Sequence, residues 1–289
     1  MKKIIVLGLV LVSLLGSFMS VAAEIKVGVQ SPRGALKAMK RWGELSKYLE
    51  AELGVPVKII PLQPGEFMTS ISTGQISYAL SNPVVAVSLQ HKFGATPIAT
   101  MNKKSGNQFA GVIISKKGSG ITKGTDLKGK KVMGFKFKRS AAAYVFQVKH
   151  LMDQGIDPHK DFSIFKEAKK QDDIILAVKA GIFDAGFVKS GLIESMKKDG
   201  ISVDDFEIID KKSDSLSSVH STELYPEWTL SANKDVPTGD VEKFKAAMLK
   251  LTASSEVSKK AKIVGFVEAL PLDSLAETLK TLKLPPFNN

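Results

Sequence analysis

Two polar side chains follow predicted strands, where they can bind an anion. Arg33 lies between the first predicted strand and the first predicted helix. Its guanidinium fork can bind an oxyanion through two N–H donors, and a solvated or paired surface arginine is the alternative. Asn82 follows the predicted strand 76–80 and precedes Pro83, so it suits either a turn or a donor to a ligand. These residue types favour binding of a small anion.

Sequence motifs for catalysis are missing. The histidines are scattered, with no metal-ligand spacing to a carboxylate pair: His91, His150, His159 and His220. There is no nucleophile elbow and no phosphate-binding loop with Gly-Lys-Ser/Thr, and Gly118-Ser119-Gly120 is interpreted as an ordinary loop. The chain contains 0 cysteines, which excludes disulfides, thiolate metal ligands and cysteine nucleophiles. We therefore expect no enzyme, no metal and no cofactor.

The charge of the chain is strongly positive and is carried by lysine. Lys and Arg total 41 against 29 Asp and Glu, a formal net charge of +12. The arginines are Arg33, Arg41 and Arg139. A lysine-rich surface favours solubility and a mild attraction for anions. Nucleic-acid readers cluster arginine among aromatic residues, and no such stripe occurs, so we expect no nucleic-acid partner.

The amino-terminal residues are typical of a secretory signal peptide. Lys2 and Lys3 precede the apolar run Ile4–Leu15, and Val21-Ala22-Ala23 offers small residues for cleavage. We expect residues 1–23 to be removed near Ala23, an uncleaved anchor being the alternative. Because no cysteine can carry a lipid, the mature chain is expected in the periplasm, as a monomer.

Hydrophobic periodicity predicts alternating strands and helices from Glu24 onward. The predicted strands are 25–30, 57–60, 76–80, 132–135, 164–165, 184–188 and 206–209, and the predicted helices are 36–53, 66–73, 140–153 and 174–180. Segment 211–218 is predicted as a loop, and the chain from Asp240 as helices separated by loops. A second α/β unit begins near Val112. Two such units favour a bilobed binding protein with its ligand at the carboxyl ends of the strands, closing by a hinge.

Specific motifs carry a resemblance to a known family. In chain order they are Arg33-Gly34, Arg41-Trp42, Tyr48-Leu49, Pro61-Leu62, Ser81-Asn82-Pro83, Phe109-Ala110-Gly111-Val112-Ile113, Asp126-Leu127-Lys128-Gly129-Lys130, Ile175-Leu176-Ala177-Val178, Gly181, Asp184-Ala185-Gly186, His220-Ser221-Thr222 and Leu224-Tyr225-Pro226-Glu227-Trp228. The chain resembles the periplasmic phosphate/phosphite/phosphonate-binding proteins of ABC transporters, and more closely the related periplasmic domain of tetrathionate-type sensor kinases. The resemblance implies the type II bilobed fold with a two-strand hinge. The expected divisions are 24–113 for the first part of lobe 1, 114–219 for lobe 2, and 220–289 for the return to lobe 1.

The resemblance also indicates the segment that faces the ligand. Where phosphonate-binding proteins have a Ser-Thr-Ser-Gly turn, this chain has Ser140-Ala141-Ala142-Ala143. Backbone N–H groups at the helix start remain available to an anion, but only one hydroxyl remains. Ser140 either caps the helix alone or caps it and also contacts the anion.

Two further substitutions follow from the resemblance. Gln171 aligns with the family's ligand-facing histidine, and Lys189 lies near the acidic residue that receives the amino group of aminophosphonates. A lysine there disfavours amine-bearing ligands, since burying like charges together is costly. The expected ligand-binding residues are Arg33, Ser81, Asn82, Arg139, Ser140, Ala141, Gln171 and Lys189.

The resulting functional hypothesis is a periplasmic solute-binding protein. It would capture a small oxyanion, like phosphonate, phosphite or phosphate, and deliver it to an ABC permease. The alternative is a sensing partner of a membrane sensor kinase that recognises a sulfur oxyanion or another small anion. An exported enzyme on this fold is the third hypothesis, and the sequence names no ligand.

Overall fold

The computed structural model describes residues 24–288. Its strands are β1 (Ile25–Gln30), β2 (Val57–Leu62), β3 (Tyr78–Ser81), β4 (Thr96–Asn102), β5 (Gln108–Phe109), β6 (Gly111–Lys116), β7 (Lys131–Phe135), β8 (Ile164–Ala168), β9 (Ala185–Lys189), β10 (Phe206–Ile208), β11 (Tyr225–Pro226), β12 (Thr229–Ala232) and β13 (Gly265–Glu268). The α-helices are α1 (Ala35–Leu53), α2 (Glu66–Ser72), α3 (Pro83–Phe93), α4 (Phe146–Met152), α5 (Pro158–Asp161), α6 (Gln171–Lys179), α7 (Leu192–Ser195), α8 (Thr238–Leu249), α9 (Glu256–Ala261) and α10 (Asp273–Thr281). The predicted signal peptide lies outside the described residues.

Helix α1 shows how the apolar pattern becomes structure. Ala38, Trp42, Leu45 and Leu49 recur at helical spacing and are buried on one face. The helix ends at Gly54, whose φ of 69° is the left-handed conformation that glycine adopts most easily. The other residues of α1 are exposed or half-buried, so α1 is the amphipathic helix that the spacing predicts.

The first sheet has the strand order β13-β4-β12-β3-β1-β2. Strands β1, β2 and β3 are parallel, and β12 runs antiparallel to both β3 and β4, so β4 is parallel to β3. The carboxyl ends of β1, β2, β3 and β4 therefore lie along one edge. Gln30, Leu62, Ser81 and Asn102 end these strands.

The second sheet has the order β10-β6-β9-β7-β8. Strands β7, β8 and β9 are parallel, and β6 is antiparallel to β9, with Gly111 paired to Lys189. The start of β6 and the ends of β7, β8 and β9 thus share an edge. The prediction of an α/β chain with two sheet-and-helix lobes is confirmed.

Two short strands connect the sheets. β5 follows the last parallel strand of the first sheet, and β11 precedes the return through β12. They pair antiparallel, Tyr225 with Phe109 and Pro226 with Gln108. The chain therefore passes between the sheets through a two-stranded ribbon, while the predicted residue limits of the lobes remain predictions.

The carboxyl-terminal helix α10 packs against more than one element. Leu275 and Leu279 share a hydrophobic cluster with Val87 of α3 and with Phe146 of α4. The Tyr225 and Thr278 hydroxyls lie 3.2 Å apart. Helix α10 thus joins the layer of the first sheet to the connecting ribbon.

Several elements depart from the sequence prediction. β2 continues through Pro61, because β2 is an edge strand and a missing N–H costs no ladder bond on its outer side. No element was predicted at β12, and only helices were predicted in the region after Asp240 that contains β13. β12 is buried on both faces, so it lacks the alternating pattern of a half-buried strand. No helix among residues 24–288 is both long enough and apolar enough to cross a membrane.

Candidate functional site

The polar edges of the two sheets are joined by two ion pairs. Arg33 Nη2, after β1, lies 3.8 Å from Asp172 Oδ1 in the first turn of α6. Lys189 Nζ, at the end of β9, lies 2.7 Å from Glu227 Oε1, between β11 and β12. The carboxyl ends of the parallel strands therefore border one crevice. Crevices of this kind are where open α/β sheets bind ligands.

Hydrogen bonds with neighbouring residues hold Asn82 at the crevice. Its backbone N–H donates to Gln30 Oε1 at 2.7 Å. Its Oδ1 accepts from Val84 N at 2.9 Å and Val85 N at 3.2 Å, which caps α3. Capping uses only the oxygen, so the side-chain amide Nδ2 can still donate to a ligand, and both roles predicted for Asn82 are compatible.

Ser81 and Arg33 occupy opposite environments on this edge. Ser81 is fully buried, and its hydroxyl donates to the Asn82 carbonyl at 3.3 Å. The Arg33 side chain is 66% exposed and pairs with Asp172 across the crevice. An exposed ion pair adds little stability, so this pair matters mainly because it places Arg33 opposite Asp172. The solvated, paired alternative for Arg33 agrees with this contact.

The turn at Ser140 differs from a simple helix start. Residues Ala141–Val145 form a π-helical turn that leads into α4, and Ala142 and Ala143 have non-helical φ/ψ values. Ser140 lies at the N-cap position but makes no side-chain cap hydrogen bond, so the predicted capping bond is wrong. A π-turn changes the direction of the first N–H groups, which the Ser140 hydroxyl does not then reach. Ala141 is buried and Arg139 is exposed.

Gln171 and Lys189 meet directly. Gln171 begins α6, and its Oε1 accepts from Lys189 N at 2.9 Å. This bond ties the start of a helix to the end of the neighbouring strand. Apart from the resemblance, no sequence pattern indicates a contact between these residues, which lie 18 positions apart.

Glu227 is the most buried charged group of the crevice. Its side chain is 1% exposed, and Oε1 accepts from both Lys189 Nζ and Lys103 Nζ at 2.7 Å. Oε2 accepts from Trp228 N at 3.2 Å. Burial alone would raise the pKa of Glu227, but the two ammonium groups outweigh it and hold the pKa at about 2.

The same cluster and its burial also shift the pKa of Lys189. Burial lowers its pKa to about 7, with Glu227 opposing this shift and Lys103 adding to it. Its ammonium also lies 4.0 Å from the centre of the Phe109 ring. The ring face stabilises the cation weakly and supplies no counter-charge.

Arg41 adds a further cation. Its guanidinium lies over the rings of Trp42 and Trp228, 4.8 and 5.3 Å from their centres, and Nε donates to Ala261 O at 3.1 Å. Burial lowers the pKa of Arg41, Glu227 opposes this shift and Arg33 adds to it. The described crevice residues thus carry more positive than negative charge.

Sequence reasoning missed Lys103, Glu227 and Arg41 as members of this cluster. Glu227 and Arg41 stand in motifs that carried the resemblance, and that was their only signal. Lys103 had none, because it is 124 positions from Glu227. A surface groove of about 360 Å³ lies elsewhere, lined by residues such as Thr96 and Ala232 at the opposite edge of the first sheet.

A crevice bordered by strand ends of two α/β lobes defines a two-lobed binding protein. Residues 28–273 match the family described as "ABC transporter, phosphonate, periplasmic substrate-binding protein". The chain belongs to this family, whose members are binding proteins and not enzymes.

Solved structures share the fold at low sequence identity. XAC2383 from Xanthomonas citri bound to chloride ion has a TM-score of 0.75 at 14% identity, over 90% of this chain and 98% of that one. PhnD1 from Prochlorococcus marinus in complex with methylphosphonate has a TM-score of 0.67 at 18% identity, again over 90% and 98%. A binding protein component of an ABC phosphonate transporter from Pseudomonas aeruginosa has 0.67 at 14%, over 91% and 89%. The predicted type II bilobed fold is confirmed.

One curated relative is a signalling protein. The tetrathionate sensor histidine kinase TtrS of Salmonella typhimurium is 27% identical over 218 residues, which is 73% of this chain. The chain spans 37% of the length of that relative. The predicted likeness to tetrathionate-type sensor kinases is confirmed as a distant similarity.

Proposed function

We propose that this protein binds a small oxyanion of the phosphonate, phosphite or phosphate type in the crevice and delivers it to an ABC permease. The observation that carries the proposal is the excess of cations at the crevice, where Arg33, Arg41, Lys103 and Lys189 stand against the carboxylates of Glu227 and Asp172. Family membership supports the transport role. Residues 1–23 act as a signal peptide, and the mature chain is a periplasmic monomer.

Each polar edge supplies a different kind of contact. From the first lobe come the Asn82 amide and the Arg33 guanidinium, and from the second come the Ser140 hydroxyl and the N–H groups of the turn that follows it. Charge-assisted hydrogen bonds from these donors are stronger than neutral ones. The lobes, predicted as residues 24–113 with 220–289 and residues 114–219, close on the anion about the β5–β11 ribbon, and all of β6 belongs to the sheet of the second lobe.

Lys189 restricts which ligands the crevice can bind. An ammonium in the crevice repels an amino group on a ligand, and two cations brought together away from water are costly. Aminoalkylphosphonates are therefore poor ligands, and unsubstituted phosphorus oxyanions are good ones.

A thermal-shift panel on residues 24–289 tests the proposal. Phosphate, phosphite and methylphosphonate are expected to raise the melting temperature by a few degrees, since a ligand at 100 times its Kd adds about 2.7 kcal/mol. Arg33→Ala is expected to weaken the shift, because it removes a bidentate donor. Lys47→Ala, an exposed residue farther along α1, is the matched control. No shift with any phosphorus oxyanion would refute the proposed ligand class.

The sensing role is the second candidate, and the likeness to TtrS favours it. In that role the same crevice binds a sulfur oxyanion and the closed form contacts a membrane kinase. The same panel therefore includes sulfate, thiosulfate and tetrathionate. A shift confined to these sulfur compounds would support sensing over phosphonate uptake.

A further inference from the structure

The cluster of Lys103, Glu227 and Lys189 is unbalanced in charge. Its members come from the end of β4, the segment between β11 and β12, and the end of β9. Both ammonium groups donate to the same oxygen, Glu227 Oε1, at 2.7 Å. Among residues 24–288, Glu227 is the only carboxylate that pairs with either lysine. With both lysines protonated, the cluster thus holds two positive charges and one negative charge.

The described residues around the cluster do not supply the missing negative charge. Glu227 Oε2 accepts from the Trp228 backbone, and the Phe109 ring beneath Lys189 is neutral. The neighbouring Arg41 is itself a cation. A partly buried positive charge without a counter-charge is costly, which agrees with the lowered pKa of Lys189. A second anion at the cluster would remove that cost.

The cluster is also placed where a ligand can reach it. The side chains of Lys103 and Lys189 are each 25% exposed, whereas that of Glu227 is 1% exposed. Lys189 stands beside Gln171 at the strand ends that border the crevice. The side chains of both lysines are therefore partly accessible, whereas the carboxylate is not.

We propose that Lys103 and Lys189 form a second anion subsite, backed by Glu227, so that the ligand carries two separate anionic groups. One group occupies the donors at Asn82, Arg33 and the Ser140 turn, and the other contacts the two lysines. This inference rests on the proposed function and narrows its ligand class to phosphorus oxyanions with a second acidic group, such as a carboxylate.

Binding measurements with matched probes test the subsite. The probes are phosphonoacetate, with two anionic groups, methylphosphonate, with one, and 2-aminoethylphosphonate, with an anion and a cation; malonate carries two carboxylates and no phosphorus. We expect phosphonoacetate to bind at least about tenfold more tightly than methylphosphonate, and 2-aminoethylphosphonate to bind more weakly than either.

Variants at Lys189 test whether this residue causes the preference for phosphonoacetate over methylphosphonate. Lys189→Met is expected to bring phosphonoacetate and methylphosphonate to within about threefold of each other, whereas Lys189→Arg retains the preference because it retains the charge. Lys189→Gln serves as a second neutral variant if Met fails to fold. The matched control is Lys245→Met, because Lys245 is 24% exposed and pairs with Glu268 at 2.7 Å far from the crevice.

The outcomes separate the two proposals. Equal binding of phosphonoacetate and methylphosphonate, or a preference unchanged in both neutral variants, overturns the subsite and leaves phosphonate capture standing. Lys189-dependent binding of malonate without binding of any phosphorus compound supports the subsite and overturns the proposed ligand class. Failure of every probe overturns both.

Discussion

At the scale of single residues, Glu227 makes the stability of the fold depend on pH. Its pKa falls from an ordinary value of 4.5 to about 2 in the folded protein. A carboxyl group with a lowered folded pKa contributes stability above its unfolded pKa, and this contribution is lost as the pH falls through the folded value. The loss therefore lies between about pH 4.5 and pH 2 and amounts to about 3 kcal/mol.

Glu227→Gln is expected to be strongly destabilising. It leaves two ammonium groups without their counter-charge, which costs about 3–5 kcal/mol near neutral pH. Lys189 has a lowered folded pKa, so its contribution to stability rises with pH above about 7. Without Glu227 that pKa falls further, so the gap to wild type should narrow as the pH rises toward about 7 and stay constant above it. Urea unfolding from about pH 5 to about pH 9 measures the gap.

The control for this variant is Glu268→Gln, which neutralises a carboxylate that is 70% exposed and paired with Lys245. It should change the free energy of unfolding by less than about 1 kcal/mol. A Glu227→Gln protein as stable as wild type at pH 5 would contradict the assigned ion pairs.

At the scale of elements, Asn82 caps helix α3 at the crevice, and we propose that it also binds the ligand. Asn82 Oδ1 caps the helix, and its Nδ2 group is available to a ligand. The two tasks belong to different atoms, so substitution can separate them. Aspartate keeps the accepting oxygen and replaces the donor by a negative charge.

Asn82→Asp is therefore expected to keep the stability of wild type and to lose anion binding. Its free energy of unfolding should stay within about 0.5 kcal/mol, whereas Asn82→Ala should lose about 1 kcal/mol with the cap. Anion affinity should fall at least about tenfold in Asn82→Asp through repulsion. Chemical denaturation and calorimetric titration with methylphosphonate measure the two quantities. Unchanged affinity in the aspartate variant would remove Asn82 from the site.

The same elements show what sequence can predict. Arg33 and Asn82 are predicted at strand ends because helices and strands alternate with clear periods, and parallel strands end at one edge. Gln171 and Lys189 are indicated only by the resemblance to the family. The lack of a cap bond at Ser140 could not be predicted, because a π-turn has no sequence pattern distinct from an α-helix. The pairing of Lys103 with Glu227 depends on chain return through β12, whose buried small residues give no alternation.

At the scale of the whole molecule, the net charge predicts how salt affects anion binding, and the positions of the tryptophans offer a way to follow it. The formal charge is +12, and the predicted cleavage after Ala23 would remove Lys2 and Lys3 and leave +10. The chain has 2 tryptophans, Trp42 and Trp228. Both rings contact the Arg41 guanidinium, so intrinsic fluorescence reports on the crevice. A positive field attracts anions over distances that salt screens.

Association of an anion is therefore expected to slow as salt rises. Stopped-flow tryptophan fluorescence with phosphonoacetate should give a rate constant about tenfold lower in 1 M than in 0.01 M salt, with a smaller change in dissociation. Chloride can also compete for the site, so the series is repeated with a bulky anion at equal ionic strength. Screening slows association equally in both salts, whereas competition appears in chloride alone. An association rate independent of both salts would show that the positive charge of the molecule does not guide its ligand.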